Sequence, residues 1–144
     1  MGQLIVQGST IESFAGLDNL ERLDDLWVIE DCPTHQNTLT SLSGLSKLVE
    51  VGEVRIEHNT ELLTLAGLDS LAFVDSLYVY DNNLLAELAL PAGLAVASSA
   101  EIFDNDALPE AEADAFLASV DAGDEQACGN GSVGDCVITK PCPQ

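Results

Sequence analysis

The chain has 144 residues, 47% of them hydrophobic, and a formal charge of −21 from 25 acidic against four basic residues. That length suits one domain with a buried core, and one Trp, two Tyr and four Phe make the core an aliphatic one. The charge repels phosphate backbones and anionic lipid surfaces, which excludes nucleic acid as a partner, and no run of 18 apolar residues is present to insert into a membrane.

Residues 4–9 (L-I-V-Q-G-S) form the first expected strand, with Leu4 and Val6 inward and Ile5 outward. Met1-Gly2-Gln3 leads straight into it without a basic n-region or a cleavage site, so no signal peptide is expected within this chain. A connecting arc follows at 14–23, a second strand at 26–31, and an insertion from Cys32 to Asn37 (C-P-T-H-Q-N). Strands are expected again at 54–58, 77–81 and 100–104. Before the third strand, apolar residues fall at Leu39, Leu42, Leu45, Leu48, Val51 and Val54. A period of three is neither the 3.6 of an α-helix nor the 2 of a strand. It fits 3₁₀-like turns, in which i and i+3 eclipse. Gly16, Gly44 and Gly67 each precede an inward leucine, where a bend calls for close backbone approach or positive φ.

These segments repeat. Val54, Ile56, Asn59, Leu62, Leu65, Leu68, Leu71 and Val74 return 23 residues later as Leu77, Val79, Asn82, Leu85, Leu88, Pro91, Leu94 and Ala97. The next copy opens at Ala100, Ile102, Asn105 and Leu108, and earlier copies place Leu26, Val28 and Asp31, then Leu4, Val6 and Ser9, in the same positions. An L-x-x-L-x-L-x-x-N core at this period specifies a stacked leucine-rich solenoid. The fold class is therefore mainly β: a leucine-rich β-solenoid of about five coils with one parallel sheet over residues 1–108. A column of Ser9, Asp31, Asn59, Asn82 and Asn105 is expected to hydrogen-bond the turning backbone at the strand ends. Residues 109–144 of the same domain supply a capping helix over 109–120, with Ala113, Phe116, Leu117 and Val120 on one face, and a Cys-rich tail. The first coil has no comparable cap.

The pattern L-x-V-x-x-N-x-x-L-x-x-L-x-G-L-x-x-L-x-x-V over residues 4–108 resembles the receptor L-domain type of leucine-rich solenoid. That family occurs in growth-factor receptor ectodomains and in bacterial and fungal cell-surface proteins. The resemblance implies a right-handed solenoid with little α-helix, in a secreted or surface-attached protein without catalysis. Pro91 and Ala97 depart from it by replacing core aliphatics, and it carries over no particular ligand.

Cys32, Cys128, Cys136 and Cys142 are even in number. Read as disulfides, they predict an extracellular, cell-surface or periplasmic setting, with three pairings open. Cys32 and His35, with His58, fall short of the four ligands of a closed zinc site. A calcium loop begun at Asp104 would meet Pro109 and Ala115 where the EF-hand requires Gly and Glu. There is no G-x-S-x-G, no phosphate-cradling glycine loop and no paired base and nucleophile, so neither an enzyme nor a cofactor is expected. The outward strand positions instead gather Trp27, Ile29, Arg55, Tyr78, Tyr80 and Phe103, with Arg55 expected to pair with Glu57 or Glu101. An exposed aromatic face of this kind predicts a non-catalytic extracellular recognition module that binds a protein or glycan. The alternative is a structural subunit that self-associates head to tail through the open edge at Leu4, Ile5 and Val6, building a fibre or surface layer.

Overall fold

The computed structural model describes residues 2–30 and 36–132. Six strands follow one another in a single parallel sheet of order β1-β2-β3-β4-β5-β6, wound as a solenoid of about five turns. They are β1 (Gln3–Gln7), β2 (Arg22–Ile29), β3 (Glu50–Glu57), β4 (Phe73–Tyr80), β5 (Ala95–Phe103) and β6 (Asp124–Cys128). One helix, α1 (Glu110–Ser119), lies between β5 and β6. The inward columns follow the repeat: Leu26 pairs with Val54, Leu77 and Ala100 in turn, and Val28 with Ile56, Val79 and Ile102. Each of these side chains is buried in one continuous core.

The arcs are built on the period of three. Leu39, Leu42, Leu45 and Leu48 stack under Leu62, Leu65, Leu68 and Leu71, all essentially inaccessible to solvent. Backbone bonds from Leu48 N–H to Leu45 C=O and from Leu71 N–H to Leu68 C=O, both 3.0 Å, close the three-residue turns that bring every leucine to the same side. Gly44 and Gly67 sit in these arcs at φ +105° and +122°. A Cβ on either would meet backbone of the preceding coil, Phe14 at 2.4 Å and Leu42 at 2.2 Å respectively. Both reasons expected of these glycines, positive φ and close approach, therefore apply.

Four features differ from the expectation. The long strands begin about four residues early, because a further inward column, Leu23–Val51–Val74–Val96, joins the sheet. Leu23, Val51 and Val74 stand three residues before the next inward position, a spacing that reads as arc, and Val96 stands four before Ala100 across a register shift. Val96 accordingly takes the place opposite Val74, while Ala97 is exposed. The third difference is β6: the segment D-E-Q-A-C, expected as part of the Cys-rich tail, pairs along β5 from Ser99↔Asp124 to Phe103↔Cys128. Helix α1 thus serves as the arc of a further coil, burying Ala113, Leu117 and Val120 against the core. Its first-turn acids reach both neighbours, Glu112 accepting from Leu88 N–H at 2.8 Å and Glu110 from Asn130 N–H at 3.0 Å.

The fourth difference is the asparagine column, which runs Asn37–Asn59–Asn82–Asn105–Asn130, each member buried. The Oδ1 atoms of Asn37, Asn82, Asn105 and Asn130 each accept the backbone N–H of the ladder position one coil earlier, from Ser9, Asn59, Asn82 and Asn105 respectively, at 2.8–3.2 Å, whereas the Asn37 N–H donates to Glu30. Each Nδ2 from Asn59 onward donates to a strand carbonyl of the coil before, as Asn82 does to Ile56. Asn37 donates to Asn59 Oδ1 at 2.9 Å, so it is the ladder member of its coil; Asp31, assigned that role from the repeat, lies outside the described residues. The residues just before the ladder, His58, Asp81 and Asp104, take left-handed backbone at φ 52–59° to make the corner.

Candidate aromatic sheet face

Of the columns that point away from the core, two adjacent ones carry the aromatic cluster. One runs Ile5–Trp27–Arg55–Tyr78–Glu101–Gln126 and the next Gln7–Ile29–Glu57–Tyr80–Phe103–Cys128. Parallel pairing holds successive rows about 4.8 Å apart, which brings residues more than 20 positions apart into contact. The Arg55 guanidinium lies over Trp27, 5.8 Å from its ring centroid, and over Tyr78 at 5.3 Å. Cation–π attraction on both sides therefore fixes it within the column. Arg55 Nε stands 3.2 Å from Glu57 Oε1 and 3.6 Å from Glu53 Oε1. The Arg55–Glu57 pairing is as expected; Glu53 is the second partner, and Glu101 instead accepts from the Tyr80 hydroxyl. Tyr80 stacks on Phe103 with centroids 5.4 Å apart and planes within 5°, and Tyr78 tilts against Tyr80 at 5.9 Å.

Trp27, Ile29, Arg55, Tyr78 and Tyr80 come together on this face, each half-buried by its neighbours. Phe103 belongs to the same column but is only 1% exposed. It cannot offer a surface to a ligand and acts as the backing of Tyr80, which corrects its assignment as a contact residue. Trp27 Nε1, Arg55 Nε and Glu57 Oε1 are shielded atoms that make no hydrogen bond. For the last two the ion pair is close but poorly aligned, while the indole N–H has no acceptor among the described residues. Burial raises the pKa of the Tyr80 hydroxyl, and its bond to Glu101 adds to the effect, so Tyr80 stays protonated and donates.

The first coil presents a different surface. Leu4 and Val6 pack inward, Val6 at 5% exposure, while Ile5 is 47% exposed. With Ile11, Phe14 and Leu17 they line an open depression of about 450 Å³ at the free edge of β1. Ser9 Oγ turns back to accept from Ile11 N–H at 3.2 Å, so the asparagine ladder ends there.

Among the predicted disulfide residues, Cys32, Cys136 and Cys142 lie outside the described residues, as does His35. Cys128 ends β6, and no free cysteine occurs among the described residues. Among those residues, no group of three or more His, Cys, Asp or Glu side chains could hold a metal ion.

Two acids that sequence reasoning passed over organise the corner beside the face. Glu30, 5% exposed, accepts from the Thr60 N–H at 2.8 Å and hydroxyl at 3.0 Å and from Asn37 N–H at 3.2 Å. Asp81 Oδ2 lies 2.8 Å from His58 Nδ1. That hydrogen bond raises the His58 pKa above its ordinary 6.5, the charges of Asp81, Glu57 and Glu30 add to it, and burial opposes it. A base with a raised folded-state pKa contributes stability that is complete below its unfolded value and fades as pH rises through the folded one. Thermal melts should therefore lose stability as pH climbs above 6.5, and His58→Gln should flatten that part of the profile. An unchanged slope in the variant would show that the pair contributes nothing.

No protein-family model matches the chain, and neither do curated proteins or solved structures. The likeness to receptor L-domains therefore rests on the repeat pattern alone.

Proposed function

We propose that this protein is a non-catalytic recognition module of the receptor L-domain kind, binding a protein or glycan through its aromatic sheet face outside the cell. The observation that carries this reading is the Trp27–Arg55–Tyr78 column beside Tyr80. An interlocked, half-exposed aromatic surface is a costly use of the flat side of a sheet, and side chains already ordered lose little entropy on binding. The four cysteines, read as disulfides, support an oxidising compartment.

Serine at Trp27, Tyr78 and Tyr80 together is the direct test. The inward columns are untouched, so the fold should persist with a loss of about 1 kcal/mol per site from the ring contacts. Binding to arrays of surface proteins and glycans should disappear. A variant that keeps the wild-type binding profile would overturn the reading.

The apolar depression at the edge of β1 supports a second reading, self-association through the first coil. A strand paired on one side only, beside exposed Ile5, Ile11 and Leu17, is an edge able to accept another chain. On that reading wild type sediments as an oligomer, and Ile5→Lys or Val6→Pro makes it monomeric, whereas the aromatic variant still assembles. Monomeric wild type would rule it out.

A further inference from the structure

We propose that the occupant of the outer sheet face is a cationic protein segment carrying arginine or lysine. This rests on the face being a binding surface and names the class of ligand it takes. The outward columns of the sheet hold six carboxylates, Asp25, Glu50, Glu53, Glu57, Glu101 and Asp124, against two guanidiniums: Arg22, paired with Glu50 at 3.5 Å, and Arg55. Arg55 is already neutralised by Glu57 and Glu53, so an approaching ligand meets a negative face on a chain of net charge −21. Such a field accelerates encounter with basic partners and opposes acidic glycans.

Arg55 also displays the chemistry on offer. The face holds this guanidinium between two aromatic rings with a carboxylate on its edge. One coil further on, Tyr80 and Glu101 stand next to Tyr78, and strands β4, β5 and β6 carry no lysine or arginine. A partner's guanidinium or ammonium group repeats the Arg55 arrangement there. The half-buried Glu101 carboxylate beside Tyr80 accepts from that cation. A basic peptide brings the charge it needs, whereas a neutral sugar brings none.

Trp27 is the only tryptophan, so its fluorescence reports on this face directly. The intact protein is titrated with oligoarginine, with oligoglutamate and with a neutral glucan oligosaccharide, at low and high salt. The expected result is a saturable change in Trp27 emission with oligoarginine, weakened by salt, and none with oligoglutamate. Tyr78→Ser with Tyr80→Ser leaves every charge in place and should weaken oligoarginine about tenfold or more. Glu57→Gln with Glu101→Gln should weaken it similarly while the rings remain. No response to oligoarginine, or a response indifferent to the tyrosines, overturns the proposal, the latter because whole-chain charge alone would explain it. In either case a saturating response to the oligosaccharide leaves the face as a binding surface with another ligand. Retention of partner binding by the triple serine variant instead overturns the wider reading.

Discussion

Gly67→Ala should cost about 2–6 kcal/mol and leave the protein at the limit of folding. Two penalties coincide at this position. The backbone sits at φ +122°, a conformation that an L side chain holds only under strain. The new Cβ would also lie 2.2 Å from the Leu42 carbonyl oxygen and 2.3 Å from its carbon. Both are backbone atoms in the tightly stacked neighbouring coil, so no side chain can swing aside. Gly16→Ala separates the two contributions. Its φ is +100° and nothing lies within 4 Å of its Cβ, so only the conformational strain remains, about 1–3 kcal/mol. Urea denaturation should rank Gly67→Ala well below Gly16→Ala. Equal midpoints would show that the coils separate easily and that close stacking is not what requires glycine.

Leu65→Ala should cost about 2–5 kcal/mol through loss of apolar burial and the cavity it leaves. Leu65 is fully inaccessible, and Leu42 and Leu88 occupy the same position in the coils on either side. Coils in a solenoid touch only their neighbours, so the void weakens two interfaces at once. The transition should broaden as the halves of the stack begin to unfold apart. Leu63 is the control: two residues away and 47% exposed, it should tolerate alanine to within about 0.5 kcal/mol. Comparable losses at both positions would mean that the arc does not turn every third residue inward.

Some of this molecule is encoded in short-range pattern. Alternation at Leu26 and Val28, repeated at Val54 and Ile56, sets which strand residues face the core, because a strand's side-chain period is two. Spacing by three along Leu39, Leu42, Leu45 and Leu48 sets the arcs, and copying both at 23 residues sets the solenoid. The outward position of Trp27, Arg55, Tyr78 and Tyr80 follows without further information, since they occupy the other half of the same alternation.

The rest depends on what the neighbouring coil supplies. The insertion near Cys32 can be placed before or after a ladder residue with equal fit to the repeat; only the bond from Asn37 Nδ2 to Asn59 Oδ1 selects Asn37. The D-E-Q-A-C segment has no apolar alternation of its own, and it is a strand because the edge of β5 offers it a hydrogen-bonding partner. Phe103 is outward by alternation yet buried, stacked on Tyr80 from another turn. Arg55 had two acids in reach by pattern and took Glu57 and Glu53, while Tyr80 took Glu101. Which side chains face in was thus legible in the sequence, because periodicity is local. Which of them hold one another across coils was decided by the stacking of those coils about 4.8 Å apart, a contact between residues that the chain itself separates by more than 20 positions.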